Sequence, residues 1–255
     1  MNHAAFLAAS CAEPPTAEHV VALEQDGWCV LPRVLDAASL GKLRAAFEAA
    51  PGARETSGTR HMEQLLGIDP RLHPGAESFE AAILSPAVIG AVQALLARPF
   101  RLLHFGGRDP LPGFGLQGLH TDWPPRGDAG PPVAVTALVL LDDFDAGPAG
   151  GGAASGAGGN GATRLVPGTH RLPGMVPRRF AQPKSCHPGE VRAPGRAGDV
   201  LVFSAHLWHA GGCNESQGMR RVLQAQFVVR DNAPPVDADV EPGAWLSEAG
   251  AYLLG

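Results

Sequence analysis

Cysteine is scarce in this chain, with four residues in 255, and no two of them are spaced as Cys-x-x-Cys. So small a set does not make a disulfide framework, and it suits a reducing compartment. Long apolar runs are also lacking, since none approaches the ~20 residues needed to span a bilayer. The first ten residues contain no Lys or Arg ahead of a short apolar run, which is a poor signal peptide. We therefore expect a soluble, cytoplasmic protein with no membrane partner.

Positive charge is in short supply too, because 20 Lys and Arg face 25 Asp and Glu, for a formal net charge of −5. This balance gives no overall electrostatic case for a nucleic-acid partner. The charge is uneven, however: residues 171–196 hold six Lys and Arg and one acid, Glu190, whereas residues 231–248 hold five acids and no base. Both stretches are explained by solvated loops, and the basic one alternatively by contact with an anionic substrate.

The length and a hydrophobic content of 45% allow one sizeable core, so we expect a single domain over residues 1–255. Residues 1–15 are expected to be loose. Three helix starts follow, at Thr16, at Asp36 and at Ser85-Pro86, and the first helix should end at Gln25. Between the first two helices, residues 28–35 read as a strand.

Beyond residue 99 the pattern changes to short, apolar, β-branched segments separated by Gly and Pro. Helices first and many short strands later predict a mainly β protein with flanking helices, built as an antiparallel barrel or sandwich. The expected strands lie within five segments: 100–107, 133–144, 162–170, 198–212 and 220–231.

One segment, residues 146–161, has low complexity and is rich in Gly and Ala. Its glycines could cradle a phosphate, but no helix follows in the βαβ context that such a loop requires. A flexible surface loop is the better interpretation.

The stretch LQGLHTDWPP places His120 and Asp122 two residues apart. In an extended strand, residues i and i+2 point to the same face, so these side chains could share one metal ion while Thr121 points away. Taken alone, the pair could equally be a core histidine and a turn carboxylate.

A third ligand is available at the end of the apolar segment 200–208. His209 follows Trp208 just before Ala-Gly-Gly, where it can face the earlier pair across the mouth of a barrel. Two His and one carboxylate that leave three positions open form the facial triad of non-haem Fe(II) oxygenases. His206 is the competing ligand, at a different height along the strand.

Arg220 adds a further piece, at the start of the segment RRVLQAQF. Oxygenases that use 2-oxoglutarate need an anchor for its distal carboxylate, and a guanidinium binds carboxylate bidentately and stays charged. Arg220 and Arg221 should face opposite sides of a strand, so only one can enter the barrel. Residues 223, 225 and 227, which share the face of Arg221, look suited to packing under helices.

Together these motifs resemble the phytanoyl-CoA dioxygenase family of Fe(II)/2-oxoglutarate oxygenases, over about residues 23–229. The resemblance rests on four segments: LEQDGWCVLPRVLDAASLGKLRAAF, QGLHTDW, NGATRLVPGTHR and LWHAGGCNESQGMRR. It implies a double-stranded β-helix, a jelly-roll or cupin-like barrel. The long Gly-rich segment departs from the family, which usually joins the flanking segments by only a few residues.

Carried over, the resemblance makes His120, Asp122 and His209 the iron ligands and Arg220 the 2-oxoglutarate anchor, with Arg221 as second choice. Gln117 lies where related sequences carry a pocket residue near the cosubstrate, and Asn214 matches a position of structural role. Related halogenases replace the metal carboxylate by a small residue, so Asp122 favours hydroxylation or desaturation. Further candidate residues for a substrate pocket are Arg60, His61, His104, Arg108 and Trp123.

The expected reaction couples conversion of 2-oxoglutarate and O₂ to succinate and CO₂ with oxidation of an unactivated C–H bond in a small molecule. Acyl-CoA thioesters, free amino acids and natural-product intermediates all stay open as substrates, and the basic stretch tilts the choice toward an anionic one. Two alternatives also stay open. One is a zinc hydrolase with the same ligands, which would have no use for Arg220; the other is a non-catalytic sensor of 2-oxoglutarate or another ligand.

Overall fold

The computed structural model describes seven ranges of the chain. These are residues 1–54, 58–62, 65, 75–124, 130–145, 159–233 and 246–255. Most of the Gly-rich segment, residues 146–158, lies outside the described residues, and the prediction of a surface loop there is untested.

Helices dominate the first hundred residues and return at the C-terminus. The described α-helices are α1 (His3–Ala9), α2 (Ala17–Gln25), α3 (Ala37–Ala49), α4 (Glu77–Ile83), α5 (Pro86–Leu96) and α6 (Glu248–Leu254).

The predicted helix starts are confirmed. The Thr16 hydroxyl accepts a hydrogen bond from the His19 backbone N–H at 3.3 Å, and the Asp36 carboxylate accepts one from Ser39 at 2.8 Å. Such caps satisfy N–H groups that have no partner within the first turn. Pro86 occupies the first turn of α5, although the Ser85 side chain makes no capping bond.

The expectation of a loose N-terminus is wrong. Residues 3–9 form α1, and Phe6 is fully buried between the rings of Phe100 and Tyr252, at centroid distances of 5.8 and 4.7 Å. A lone Phe in an Ala-rich helix gives little periodic signal, yet burying one aromatic side chain contributes about 2–3 kcal/mol. That burial, against distant parts of the chain, is what fixes the segment.

The described strands form two antiparallel sheets. They are β1 (Trp28–Leu31), β2 (Ala53–Arg54), β3 (Thr59–Met62), β4 (Phe100–Pro110), β5 (Ala134–Leu140), β6 (Thr163–Leu165), β7 (Val191–Ala193), β8 (Val200–Ser204), β9 (His209–Ala210) and β10 (Val222–Val229). The major sheet has the order β1-β8-β5-β10-β4-β3-β2, and the minor sheet the order β7-β6-β9. All five predicted segments contain strands. The first predicted strand was too long, because β1 ends at Leu31 before Pro32 and Arg33, whose φ is +52°.

The major sheet is buried on both faces. One face carries Leu223, Ala225 and Phe227 into the large apolar core formed with the helices. The other face carries Leu138, Leu201 and other apolar side chains toward the minor sheet. This sandwich of a helix-covered sheet on a smaller sheet is the predicted fold class. The candidate site lies between the two sheets, where β9, β10 and the loop before β5 meet.

No single helix in the described part of the chain is long and apolar enough to cross a membrane. Helices α4 and α5 meet that test of length and composition only when counted together, across a 46° bend.

Candidate metal centre

His120 and His209 are joined directly through their backbones. The His120 N–H donates to the His209 carbonyl at 2.9 Å, and the His209 N–H donates back at 3.0 Å. The two imidazole rings therefore lie side by side, with centroids 4.4 Å apart. The expectation that His209 faces the pair across the barrel mouth is thus corrected: one antiparallel bridge makes the two residues neighbours.

Asp122 completes a cluster with these two histidines. Its Oδ1 lies 3.3 Å from His209 Nε2 and 3.7 Å from His120 Nε2. Potential ligand atoms of all three residues lie within 4.8 Å of one another. A metal bonded to two such atoms at roughly 2.1 Å, at right angles, holds them about 3 Å apart. The cluster is therefore close to the spacing that one metal ion requires.

Both histidines are oriented by backbone carbonyls. Nδ1 of His120 lies 3.0 Å from the Gly118 carbonyl, and Nδ1 of His209 lies 2.9 Å from the Leu207 carbonyl. Each Nδ1–H can donate to its carbonyl, which leaves Nε2 with a lone pair directed at Asp122. Such a contact fixes the tautomer and ring orientation of a metal-binding histidine.

Asp122 is held from behind by three polar residues of the major sheet. The Thr136 hydroxyl donates to Oδ2 at 2.8 Å, and the Gln224 side-chain amide lies 3.4 Å from the same oxygen. Gln226 Nε2 donates to the Asp122 carbonyl at 2.9 Å. Oδ1 is thereby left to face the histidines, as a monodentate ligand would need.

The electrostatics keep the three groups in unequal protonation states. Burial, reinforced by the nearby His209, lowers the pKa of His120 to about 4. Burial opposes the ionisation of Asp122, but His209 and the Thr136 hydroxyl outweigh it, so the pKa of Asp122 falls below its usual range. Burial also opposes protonation of His209, yet the Asp122 carboxylate raises its pKa. A carboxylate and a neutral His120 are the forms that bind a metal ion.

Arg220 lies in the same cavity as the His–Asp–His cluster. Its Nη1 donates to the Gly161 carbonyl at 2.7 Å, and its guanidinium carbon lies 5.2 Å from the centre of the Phe144 ring. Its Nε is buried and has no hydrogen-bond partner among the described residues. Burial and the nearby Arg108 lower the pKa of Arg220 to about 10, so the side chain still carries a positive charge at neutral pH. A buried cation with an unused donor is suited to receive a carboxylate.

Arg221 points away from that cavity. It binds the Asp142 carboxylate bidentately, with Nε to Oδ2 at 2.9 Å and Nη2 to Oδ1 at 2.8 Å, and its Nη1 contacts Glu48 of α3 at 2.7 Å. These contacts leave Arg221 engaged with side chains outside the cavity. The structure thus places Arg220, and not Arg221, beside the cluster.

Gln117 lies at the rim of the cavity. Its side-chain Oε1 accepts a hydrogen bond from the Gly211 backbone N–H at 2.8 Å. The Gln117 backbone N–H donates to the Gly211 carbonyl at 3.0 Å. Gln117 therefore ties the strand segment before His120 to the segment after His209.

Comparisons with known proteins point to one family. The profile of the phytanoyl-CoA dioxygenase (PhyH) family matches residues 156–222, which contain His209 and Arg220. The dioxygenase cdmA of Talaromyces verruculosus is 27% identical over 229 residues, covering 79% of this chain and 68% of that protein. The chain is therefore similar to the phytanoyl-CoA dioxygenase family over residues 156–222, and to a dioxygenase over most of its length.

Solved structures show the fold of this chain. HygX from Streptomyces hygroscopicus, with nickel, 2-oxoglutarate and hygromycin B bound, matches with a TM-score of 0.68 at 19% identity, over 85% of this chain and 88% of HygX. The epimerase SnoN, in complex with Fe³⁺, alpha-ketoglutarate and nogalamycin RO, matches with a TM-score of 0.62 at 20% identity, over 90% and 91% of the two chains. The predicted double-stranded β-helix with flanking helices is confirmed, as is the class of Fe(II)- and 2-oxoglutarate-dependent enzyme.

The residues of this chain fit both groups that the class requires. Two imidazole nitrogens and one carboxylate oxygen, in a cluster that leaves one side open to a cavity, suit Fe(II). The unused buried donor of Arg220 suits the second carboxylate of 2-oxoglutarate. The Phe144 ring packs against the guanidinium of Arg220 and shields that face of it from water.

Two of the five candidate pocket residues lie at this cavity or next to it. Arg108 lines the cavity of the metal cluster, and His61 lines an adjoining one. His206, the competing metal ligand, is buried but is not part of the metal-competent cluster of the described residues.

The other three candidate pocket residues lie elsewhere, which corrects the expectation for them. The Arg60 guanidinium stacks on Phe47 and donates to the Ala50 carbonyl at 2.6 Å, so it closes the end of α3. Trp123 packs against the small apolar cluster of Ala134, Ala205 and Val228. His104 is a partly buried residue of β4, next to Gln226 in the register, and lines neither cavity.

Several residues at the site were missed by sequence reasoning. Thr136 is a polar position within the strongly apolar strand β5, and that contrast was a usable signal. Phe203, whose ring centre lies 4.6 Å from that of His209, and Phe144 gave no signal, since an apolar residue in an apolar segment is normally core. Asn214, expected to have a structural role, is fully buried and donates to the carbonyls of Pro110 and Gly218.

Proposed function

We propose that this chain hydroxylates an unactivated C–H bond of a small molecule, with His120, Asp122 and His209 as the Fe(II) ligands and Arg220 as the anchor of 2-oxoglutarate. The observation that carries the proposal is one cavity that holds both the His–Asp–His cluster and a buried guanidinium with an unused donor. A zinc hydrolase would need the cluster but not the guanidinium.

Fe(II) with 2-oxoglutarate and O₂ supplies the oxidising power, and the protein supplies position and protection. Thr136 and Gln224 hold Asp122 so that one carboxylate oxygen faces the metal position. Arg220 and Phe144 fix one end of the cosubstrate, by charge and by shape. Leu138, Phe203 and Val222 add apolar wall, which restricts water around the reacting carbon.

Asp122 also favours hydroxylation over halogenation, because a carboxylate fills the ligand position that a halide would otherwise take. The structures of HygX and SnoN hold bound hygromycin B and nogalamycin RO, which supports an organic small molecule as the substrate here. The fold alone does not choose between hydroxylation and epimerisation, so the product decides.

The test is substrate-dependent formation of succinate. Purified protein with Fe(II), 2-oxoglutarate and ascorbate is screened against a metabolite panel, and each active compound is examined by mass spectrometry for gain of one oxygen atom. Succinate that appears only with Fe(II), together with an oxygenated product, supports the proposal. Equal activity in a zinc-only preparation would overturn it, and an isomerised product would overturn the hydroxylase assignment alone.

A further inference from the structure

A second cavity adjoins that of the metal cluster. Its lining residues are Thr59, His61, Arg108, Gly115, Leu116, Gln117 and Arg220. Arg108, Gln117 and Arg220 line both cavities, so the two share a wall. The inner cavity measures about 60 Å³ and the outer one about 220 Å³. If 2-oxoglutarate occupies the inner cavity, the larger outer cavity is left for an organic substrate.

Three polar side chains line the outer cavity from one face of the sheet. His61 of β3 is the direct cross-strand partner of Arg108 of β4. Such partners have Cβ atoms about 4.5–5.5 Å apart on the same face, and Thr59, two residues from His61, shares that face. A hydroxyl, an imidazole and a guanidinium are therefore grouped within reach of a single bound group.

Arg108 carries a charge that none of the described residues neutralises by direct contact. Within the described ranges, its guanidinium makes no hydrogen bond and no ion pair, although the residue is partly buried. Its positive charge lowers the pKa of Arg220 and opposes protonation of His120 and His209. The nearby acid Asp109 raises the pKa of Arg220, so its charge partly offsets that of Arg220. Arg108 therefore adds positive potential on the outer side of the metal centre.

In the proposed site, 2-oxoglutarate would not neutralise the charge of Arg108. In the proposed site, 2-oxoglutarate brings two carboxylates, of which one is placed at the metal and the other at Arg220. Arg178 and Arg179 of the basic stretch are exposed, and no basic residue of the stretch 171–196 lines either cavity in the described part of the chain. Arg108, which lines both cavities, is therefore the basic residue best placed to meet an anionic group of the substrate.

We propose that Thr59, His61 and Arg108 form an outer anion subsite that binds a carboxylate or phosphate group of the primary substrate, several ångströms from the carbon that is oxidised. This inference rests on the proposed function, since it takes the inner cavity as the place of the metal and 2-oxoglutarate. It narrows the substrate class to small organic acids and phosphate esters.

The experiment uses Mn(II) in place of Fe(II) and saturating 2-oxoglutarate, so that no turnover occurs and the metal is already covered. Inorganic phosphate is titrated and followed by ³¹P relaxation, which Mn(II) accelerates steeply at short distance. We expect saturable enhancement. Arg108→Gln should weaken phosphate binding roughly 10- to 100-fold, as loss of a charged hydrogen-bond donor implies. A parallel titration with ¹³C-acetate shows which of the two oxyanions the subsite prefers.

Controls separate the subsite from the cosubstrate anchor. Arg178→Gln removes one charge from the exposed basic stretch and should leave phosphate binding unchanged. Arg108→Gln should leave 2-oxoglutarate affinity within about threefold, unlike a change at Arg220. Arg108→Lys, which keeps the charge, should recover part of the phosphate affinity. Thr59→Val removes a hydroxyl but leaves the guanidinium in place, and it should also weaken phosphate binding.

Two results would overturn the inference. One is that phosphate and acetate bind to the Arg108→Gln and Arg108→Lys variants with the same affinity as to the wild type. The other is a loss of 2-oxoglutarate affinity in Arg108→Gln as large as in Arg220→Ala, which would make Arg108 part of the cosubstrate anchor. Failure of the protein to bind Mn(II) and 2-oxoglutarate would instead contradict the proposed function, and calorimetric titration of phosphate into the metal-free protein would then test the subsite alone.

Discussion

Arg220 and Arg221 are consecutive residues whose guanidinium groups serve different parts of the molecule. Arg220 reaches into the cavity of the His–Asp–His cluster and donates to the Gly161 carbonyl. Arg221 binds Asp142 and Glu48 on the side of helix α3. The alternation of an extended chain separates them, and the hydrophobic face of β10 decides which one goes inward.

This separation predicts opposite effects of two neighbouring substitutions. Arg220→Ala removes a charge-assisted carboxylate contact worth roughly 2–4 kcal/mol and should weaken 2-oxoglutarate binding about 30- to 1000-fold. Arg221→Ala should leave that affinity within a few-fold and lower the melting temperature instead. Anaerobic titration of 2-oxoglutarate into the Mn(II)-loaded variants measures both. The reverse pattern would move the anchor to Arg221.

Removal of the Asp122 carboxylate should abolish most of the metal binding. Asp122→Ala leaves two imidazoles without the only carboxylate of the described cluster, so we expect loss of most Mn(II) or Fe(II) affinity and of turnover. Calorimetric metal titration reports the first and succinate formation the second. Asp142→Ala, the same truncation of a partly buried carboxylate outside the cavity of the metal cluster, is the control and should bind metal normally. Full iron-dependent turnover in Asp122→Ala would exclude Asp122 as a ligand.

The hydroxyl behind Asp122 should tune the metal affinity. Thr136→Val keeps the volume but deletes the 2.8 Å donor to Oδ2, and loss of a partner that orients a ligand typically weakens metal binding about 10- to 100-fold. Thr121→Val changes a hydroxyl that contacts the Trp123 carbonyl rather than the carboxylate, and it should have a much smaller effect. Equal metal affinity in wild type and Thr136→Val would show that this bond does not orient the ligand.

A buried ion pair fastens the segment that follows β6. Arg164 is fully buried, and it binds Glu190 at 2.7 and 2.9 Å and the carbonyls of Ser185 and Gln117. Glu190→Gln leaves a buried charge unpaired, which costs about 3–5 kcal/mol and should lower the melting temperature by roughly 2–4 °C per kcal/mol.

An exposed pair gives the matched control. Arg196 and Asp143 lie 3.0 Å apart, with side chains 84% and 57% exposed, so Arg196→Gln should cost at most about 1 kcal/mol. Thermal unfolding by circular dichroism compares the two variants. Similar melting temperatures for Glu190→Gln and Arg196→Gln would show that the buried pair is not stabilising.

Acid should weaken the contact between Asp142 and Arg221. Burial opposes ionisation of Asp142, but the hydrogen bonds from Arg221 outweigh it, so its pKa in the folded protein lies below the unfolded value of about 3.9. A depressed carboxylate pKa stabilises the fold above the unfolded pKa, and that stabilisation is lost as pH falls through the folded pKa. Urea denaturation at pH 7 and at about pH 3 should therefore show a larger loss in wild type than in Asp142→Asn. Equal losses would exclude Asp142 as a source of acid sensitivity.

The sequence by itself determined three helix starts, the strand-bearing segments after residue 99 and the residues proposed as metal ligands. The caps at Thr16 and Asp36, the change to short β-branched segments after residue 99 and the His-x-Asp spacing are local patterns, and local patterns are readable because the chain geometry repeats every 2.0 or 3.6 residues. The choice between Arg220 and Arg221 was also local, since Leu223, Ala225 and Phe227 had to face a core.

Only the tertiary structure decided which distant residues meet. Phe6 became a core residue because Phe100 and Tyr252 surround it, and Arg60 turned to the carbonyls that end α3 rather than to the cavity. Thr136 meets Asp122, and His61 meets Arg108, through strand register, which depends on pairings between segments far apart in the chain. Register is set by how two sheets bury their apolar faces together, and no single stretch of sequence contains that information.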